Sequence, residues 1–338
     1  QQAKITAAFK TILAPITDAT ELREALRRCK PGKCGGSSGI TREHLLYLPD
    51  SALSHFIDIA NTIINGSCTT RFKLGVIIPL LKDDRRYRPV TLLETIWKTA
   101  MTRVSDRLLD TLHEFKLLNE AQYAFLRGGS THAPLDLVTA AMQRTQALKQ
   151  ECHICFLDAT SAYDTVPLWV LDVAFRRIGA PEDFIEWIRT TTEGHHRIVS
   201  TCAGTNDAND SFPLGGLAQG CPFSPAIWLV VADMALSHAH NTNPHNPQGN
   251  PDPKTDGVTL AEAGETKGRS HRIGIQATGY ADDLNSIGKT NEETTTYAQA
   301  MVDMLGCLNI RVQQKKCIYL RSLQAVENDE SSTFDSNT

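Results

Sequence analysis

The sequence predicts an α+β fold, on three observations. Stretches with apolar residues at helical spacing alternate with short apolar runs of strand character. Two of those runs end on, or turn at, carboxylates. The 338 residues are 41% hydrophobic and 21% charged, enough apolar material for one large core or two linked ones.

Taken in order, residues 5–30 and 41–65 read as amphipathic helices, the second with Leu45, Leu48, Leu53, Phe56, Ile59 and Ile63 in period and Thr41 with His44 as a weak cap. Between them, Pro31 to Gly39 is a turn-rich loop and not a phosphate-cradling P-loop, since no strand precedes it and no Gly-Lys-Ser/Thr triplet is present. Val76 to Leu81 reads as a short strand. Lys82-Asp83-Asp84-Arg85-Arg86-Tyr87-Arg88-Pro89 then forms a basic, candidate phosphate-binding hairpin, although Arg85 and Arg86 taken singly suit a solvated turn. Residues 93–118 and 131–150 read as helices, and 151–158 as a buried strand ending on Asp158. Helices follow at 167–193 and from Ser224-Pro225, an N-cap and first-turn proline. Residues 241–270, rich in Asn, Pro and Gly, are expected to form a long loop. Strand character returns from His271 to Ile287, and the acidic end from Glu327 is expected to be disordered. His195-His196 read as surface and Trp228 as core.

The net charge of −4 is polarised. Residues 1–150 hold 21 Lys/Arg against 14 Asp/Glu, and residues 151–338 hold 13 against 24. A basic part suited to phosphates beside an acidic part suited to metal ions fits an enzyme that handles polyanions. Nine cysteines at irregular spacing indicate reduced thiols and an intracellular protein, nuclear or cytoplasmic. Cys152 and Cys155 read as buried thiols, because residues three apart on a strand face opposite sides and zinc sites usually need four ligands. The longest apolar run, Ile227 to Ala232, stops at Asp233, far short of a membrane span. Starting at Gln1 with no leader-like segment, the chain is expected to be part of a longer polypeptide.

The carboxylates carry the chemistry. Asp158 closes the apolar strand Ile154-Cys155-Phe156-Leu157, where a charge is costly unless neutralised, and a metal ion would neutralise it. Asp282 and Asp283 lie in Thr278-Gly279-Tyr280-Ala281-Asp282-Asp283-Leu284, flanked by apolar residues as at a hairpin turn. Acid pairs at turns are common, so the pair has weight only together with Asp158. Three such acids supply the hard oxygen ligands that two-metal phosphoryl transfer requires.

Five ordered stretches resemble the motif set of reverse transcriptases, specifically those of non-LTR (LINE-like) retrotransposons and their group II intron relatives. They are Tyr87-Arg88-Pro89-Val90-Thr91-Leu92-Leu93 with Lys98; Gln122 to Thr131; Phe156-Leu157-Asp158-Ala159-Thr160-Ser161-Ala162-Tyr163-Asp164; Gly216 to Pro225; and Tyr280-Ala281-Asp282-Asp283. The resemblance spans about residues 31–320 and implies a right-hand polymerase with fingers and an antiparallel palm sheet backed by helices. Its expected divisions are an N-terminal helical extension (1–68), fingers (69–150), palm (151–168), a connection (169–218), a second palm part (219–325) and a tail (326–338).

The resemblance also implies roles. Asp158, Asp282 and Asp283 would bind two Mg²⁺ ions, with Mn²⁺ as substitute. Tyr163 would be the steric gate against a ribose 2′-hydroxyl. Gln219 and Gly220 would lie beside the incoming nucleotide and template base, and Lys82 and Arg88 would grip the triphosphate. Lys316 would protonate pyrophosphate, with Lys315 the alternative. The implied partners are an RNA template, a DNA primer and deoxynucleoside triphosphates, with no membrane and an open oligomeric state. Ala124 and Leu126 depart from the family pattern, as does the 241–270 insertion, and the short stretch after Lys316 leaves little room for a thumb. The rival readings are an RNA-binding, maturase-like or polymerase-inactive domain and an RNA-dependent RNA polymerase, against which Tyr163 speaks.

Overall fold

The computed structural model describes the chain except residues 68, 84–85, 126–128, 160–161, 207–209, 214, 243–256, 267–268 and 323–338, and the side chains of 82–86, 162, 164, 259 and 261–274. In chain order the elements are α1 (Gln2–Ile12), α2 (Ala19–Arg28), α3 (Arg42–Leu46), α4 (Asp50–Ile64), β1 (Leu74–Asp83), β2 (Arg86–Leu92), α5 (Thr95–Glu114), α6 (His132–Ala147), β3 (His153–Asp158), α7 (Ala162–Thr165), α8 (Leu168–Arg177), α9 (Glu182–Thr192), β4 (His196–Thr201), β5 (Gly204–Thr205), β6 (Phe212–Pro213), α10 (Ser224–His240), β7 (Val258–Thr266), β8 (Arg269–Ile275), β9 (Ala277–Tyr280), β10 (Asp283–Gly288), α11 (Asn291–Cys307) and β11 (Ile318–Arg321).

The stretches 5–30 and 41–65, each read as one amphipathic helix, are each two, and residues 167–193, read as helices, form α8 and α9. The breaks fall at Pro15, at Pro49 and at Gly179-Ala180-Pro181, where a proline blocks continuation or, at Gly179, the backbone turns left-handed with φ of 80°. The Thr41–His44 cap forms, with the His44 ring accepting from Thr41 N–H at 3.1 Å.

The chain divides into two compact units, Gln1–Leu117 with Tyr163–Val231, and Leu118–Ala162 with Ala232–Thr338. In the first, β1 pairs antiparallel with β2 and parallel with β4, and β4 carries β5 and β6. Helix α5 is its axis. Trp97, Ala100, Met101, Val104, Leu108 and Leu112 recur at three- and four-residue steps and are buried, while Arg103 and Arg107 reach Glu21 of α2 at 2.5 and 2.8 Å. The Pro31–Gly39 loop does hold an anion, but a protein one. The Glu94 carboxylate accepts from Ser37 Oγ, Ser38 N–H and Ser38 Oγ within 2.8 Å.

His195, expected at the surface, is buried with its ring edge-on to Trp97 at 5.0 Å, and its Nε2 donates to Thr191 O at 3.0 Å. Polarity by residue type favours the surface, but the turn from α9 into β4 buries this histidine. Burial penalises the imidazolium and pushes its pKa down to about 4. The unfolded chain therefore binds the proton more readily than the folded one. This contribution to stability is complete above about pH 6.5 and is lost as pH falls toward about 4, by up to about 3 kcal/mol. Urea unfolding should show the wild-type midpoint dropping between about pH 7 and about pH 5 by more than that of His195→Gln.

In the second unit a four-stranded antiparallel sheet runs β11-β3-β10-β9, with α11 packed on β3 and β10. Residues 258–266, expected within a loop, instead form β7, paired with β8. Val258 joins a core with Val138, Ala141, Cys152, Ile154, Ile275 and Ile287, and that burial outweighs the turn-rich composition around it. The hairpin's base is tied down by Glu293, a buried carboxylate that accepts from Gly257 N–H and Lys289 N–H, both at 2.6 Å, at the N-terminus of α11. Among the described residues no helix is long and apolar enough to cross a membrane.

Candidate active site

In the second unit, β9 and β10 form a hairpin in which Tyr280 pairs with Asp283 and a two-residue turn carries Ala281 and Asp282. Ala281 is left-handed with φ of 58°, an unusual setting for a residue with a Cβ that marks stored strain at the turn. Asp283 lies directly opposite Asp158 across the β10–β3 ladder, and Leu284, Ile287 and Ile154 anchor the two strands in the core. The segment that resembles the pre-palm motif runs along the outer side of β9. Tyr123 N–H donates to Gly279 O and Gly279 N–H to Ala121 O, while Gln122 and Ala124 are buried.

Three negative groups therefore stand at one sheet end. The Asp283 carboxyl is pushed up from its ordinary value, first by burial and then by the charges of Asp282 and Asp158. Lys316 answers part of that charge, its Nζ 3.1 and 3.3 Å from the two Asp158 oxygens. It reaches there because Gln313 N–H donates to Asp158 O at 2.8 Å and Val312 bridges Ala159. Among the described residues no three His, Cys, Asp or Glu side chains close around one point as a ready metal cage, and the Asp158 carboxylate is paired with Lys316. An all-carboxylate donor set, mutually repelling and already drawing an ammonium, fits a hard divalent cation.

In the first unit the remaining expected residues gather around the turn 217–221. Gln219 O accepts from Thr91 N–H of β2 at 2.9 Å, three residues beyond the exposed Arg88. Gly220 has φ of 124°, and a Cβ on it would lie 2.3 Å from Thr91 O, so only glycine lets the turn approach β2 this closely. Leu217 N–H donates to Tyr163 O at 2.7 Å, and Ser224 Oγ at the start of α10 to Ala218 O at 2.9 Å. The half-buried Tyr163 ring lies 5.7 Å from that of Trp228. The Lys82 side chain falls outside the described residues. Trp228 beside Tyr163 was not legible beforehand, and its helical period marked it only as core.

Residues 80–331 match the family model described as reverse transcriptase (RNA-dependent DNA polymerase). The RNA-directed DNA polymerase from mobile element jockey of Drosophila funebris is 26% identical over 234 residues, 67% of this chain and 25% of that protein. The Pol polyprotein from type-2 retrotransposable element R2DM of Drosophila melanogaster is 21% identical over 286 residues, 83% of this chain and 24% of that protein. The chain thus spans about a quarter of the length of these relatives. An apo telomerase structure from Candida tropicalis superposes with a TM-score of 0.52 at 11% identity, covering 78% of this chain and 52% of that one, which shows the right-hand polymerase fold. With the family model matched over well more than half its length, the chain belongs to the reverse transcriptase family.

Proposed function

We propose that this domain extends a DNA primer with deoxynucleotides on an RNA template, as part of a non-LTR retrotransposon protein. The observation that carries the reading is the placement of Asp283 opposite Asp158 on adjacent strands, with Asp282 in the neighbouring turn. Reverse transcriptases use divalent metal ions. Here Asp158, Asp282 and Asp283 would hold two of them, Mg²⁺ by preference for an all-oxygen site and Mn²⁺ as substitute. Bound there, the pair supplies Lewis-acid stabilisation of the attacking and leaving oxygens.

The chain's own residues bind and orient. Arg88, with Lys82, grips the triphosphate, where a guanidinium can chelate phosphate oxygens through two N–H groups. Gln219 and Gly220 line the incoming nucleotide, and the Tyr163 ring excludes a 2′-hydroxyl. Lys316, held at Asp158 in the resting site, is the ammonium that hands a proton to departing pyrophosphate.

Primer extension on an RNA template tests this. Extension with deoxynucleotides and Mg²⁺ is expected for the protein carrying this domain, and loss of it by about a thousandfold for Asp282→Asn. Equal extension by that variant would sink the metal assignment. Preference for ribonucleotides would make the protein an RNA polymerase, and RNA binding without incorporation in any metal would leave the maturase-like role.

A further inference from the structure

We propose that Trp228 is a positioning residue for sugar selection, holding the Tyr163 ring where it blocks a 2′-hydroxyl; this rests on the reading of Tyr163 as the gate. A steric gate discriminates only if its ring cannot swing aside, because rotation about χ1 carries a tyrosine ring away from its site. Tyr163 stands on α7, a four-residue turn of helix. So short a helix has little stability of its own.

One continuous segment supplies support to both the Tyr163 backbone and its ring. Leu217 N–H fixes the Tyr163 backbone at 2.7 Å, and Trp228 meets its ring at 5.7 Å between centroids with the planes tilted by 34°. The Trp228 wall is itself packed into the core. The residue is 0% exposed in α10, a helix buried on nearly every side, whose first turn is tied to Ala218 by Ser224. The segment that presents Gln219 and Gly220 is thus also the segment that braces the gate.

The indole is an expensive choice for core filling alone. Its Nε1–H is buried with no hydrogen-bond partner among the described residues. A buried donor without a partner is destabilising, and a phenylalanine would fill most of the same space without it. The indole that carries this cost is the ring that lies against Tyr163.

The test is the ratio of kcat/KM for a deoxynucleotide to that for its ribonucleotide in the protein carrying this domain. The ratio is insensitive to the fraction of active enzyme, so a purely structural defect leaves it unmoved. Trp228→Leu is expected to lower the ratio by about tenfold, mainly through a lower KM for the ribonucleotide, and Trp228→Phe by roughly two- to fivefold. Tyr163→Val should lower it at least as far, and Trp228→Leu added to Tyr163→Val should lower it no further, the non-additivity of residues acting through one group. If Tyr163→Val relaxes selectivity and the Trp228 variants do not, the positioning role is overturned while the gate stands. An unchanged ratio in Tyr163→Val overturns the gate reading itself and the proposal with it. Should Trp228→Leu fail to fold, an unchanged ratio in Trp228→Phe overturns the proposal.

Discussion

Asp283→Asn is expected to abolish nucleotide addition, lowering kcat by about a thousandfold or more, without lowering the stability of the metal-free protein. The two effects diverge because the carboxylate is costly to the fold. Burial and the charges of Asp282 and Asp158 raise its pKa, so the charged form is disfavoured where it stands. Asparagine keeps the shape and removes the repulsion. The gain is small, on the order of 0.5 kcal/mol, since the group is only partly withdrawn from solvent and its interactions are largely screened. The Lys316–Asp158 pair is untouched by the change.

Thermal melting with and without Mg²⁺ completes the experiment. An ion that binds only the folded state raises wild-type stability in proportion to the logarithm of its concentration, and chelation should reverse the rise. The asparagine variant should melt at or above wild type in chelator and gain less from Mg²⁺. A variant that melts well below wild type in chelator would show that Asp283 serves the hairpin and not a cation.

Gly220→Ala is expected to be strongly destabilising for a single added methyl. The new Cβ would stand 2.3 Å from Thr91 O, a backbone atom that cannot move without breaking the β2 ladder, at a φ of 124° that a side chain rarely adopts. The Thr91 N–H to Gln219 O bond would have to open, for a total of about 3 kcal/mol or more. Gly204 provides the control. Its φ is 131°, but nothing lies within 4 Å of its would-be Cβ, so Gly204→Ala should cost only the strain, about 1 kcal/mol. Urea denaturation of the two variants separates clash from strain, and equal losses would refute the close approach. In the same variant the nucleotide KM should rise, because Gln219 would be detached from the strand that bears Arg88.

Single elements follow from the sequence where the signal is local. The strand ending on Asp158 and the hairpin around Asp282 and Asp283 lie where apolar runs meet charges, and the helices around Val104 and Ile63 follow their period. Local signals mislead where polarity and final environment part company. His195 is polar by type and buried by fold, and Val258 sits in a composition that favours loops yet finds a core to enter. In both cases burial against distant residues outweighed the local preference.

What the sequence by itself determined is the inventory of chemistry. The three acids, the aromatic five residues past Asp158, the Gln219-Gly220 turn and their order along the chain were all legible, because each lies in a short contiguous stretch whose residue types state what it can do. What only the tertiary structure decided is who faces whom. Asp283 meets Asp158 through strand register, Lys316 reaches Asp158 through the bridge at Val312, Gly220 is required by the backbone of Thr91, and Trp228 lies against Tyr163. Register and backbone approach join segments far apart in sequence, and the pattern of one segment alone does not name the residue it will face on another.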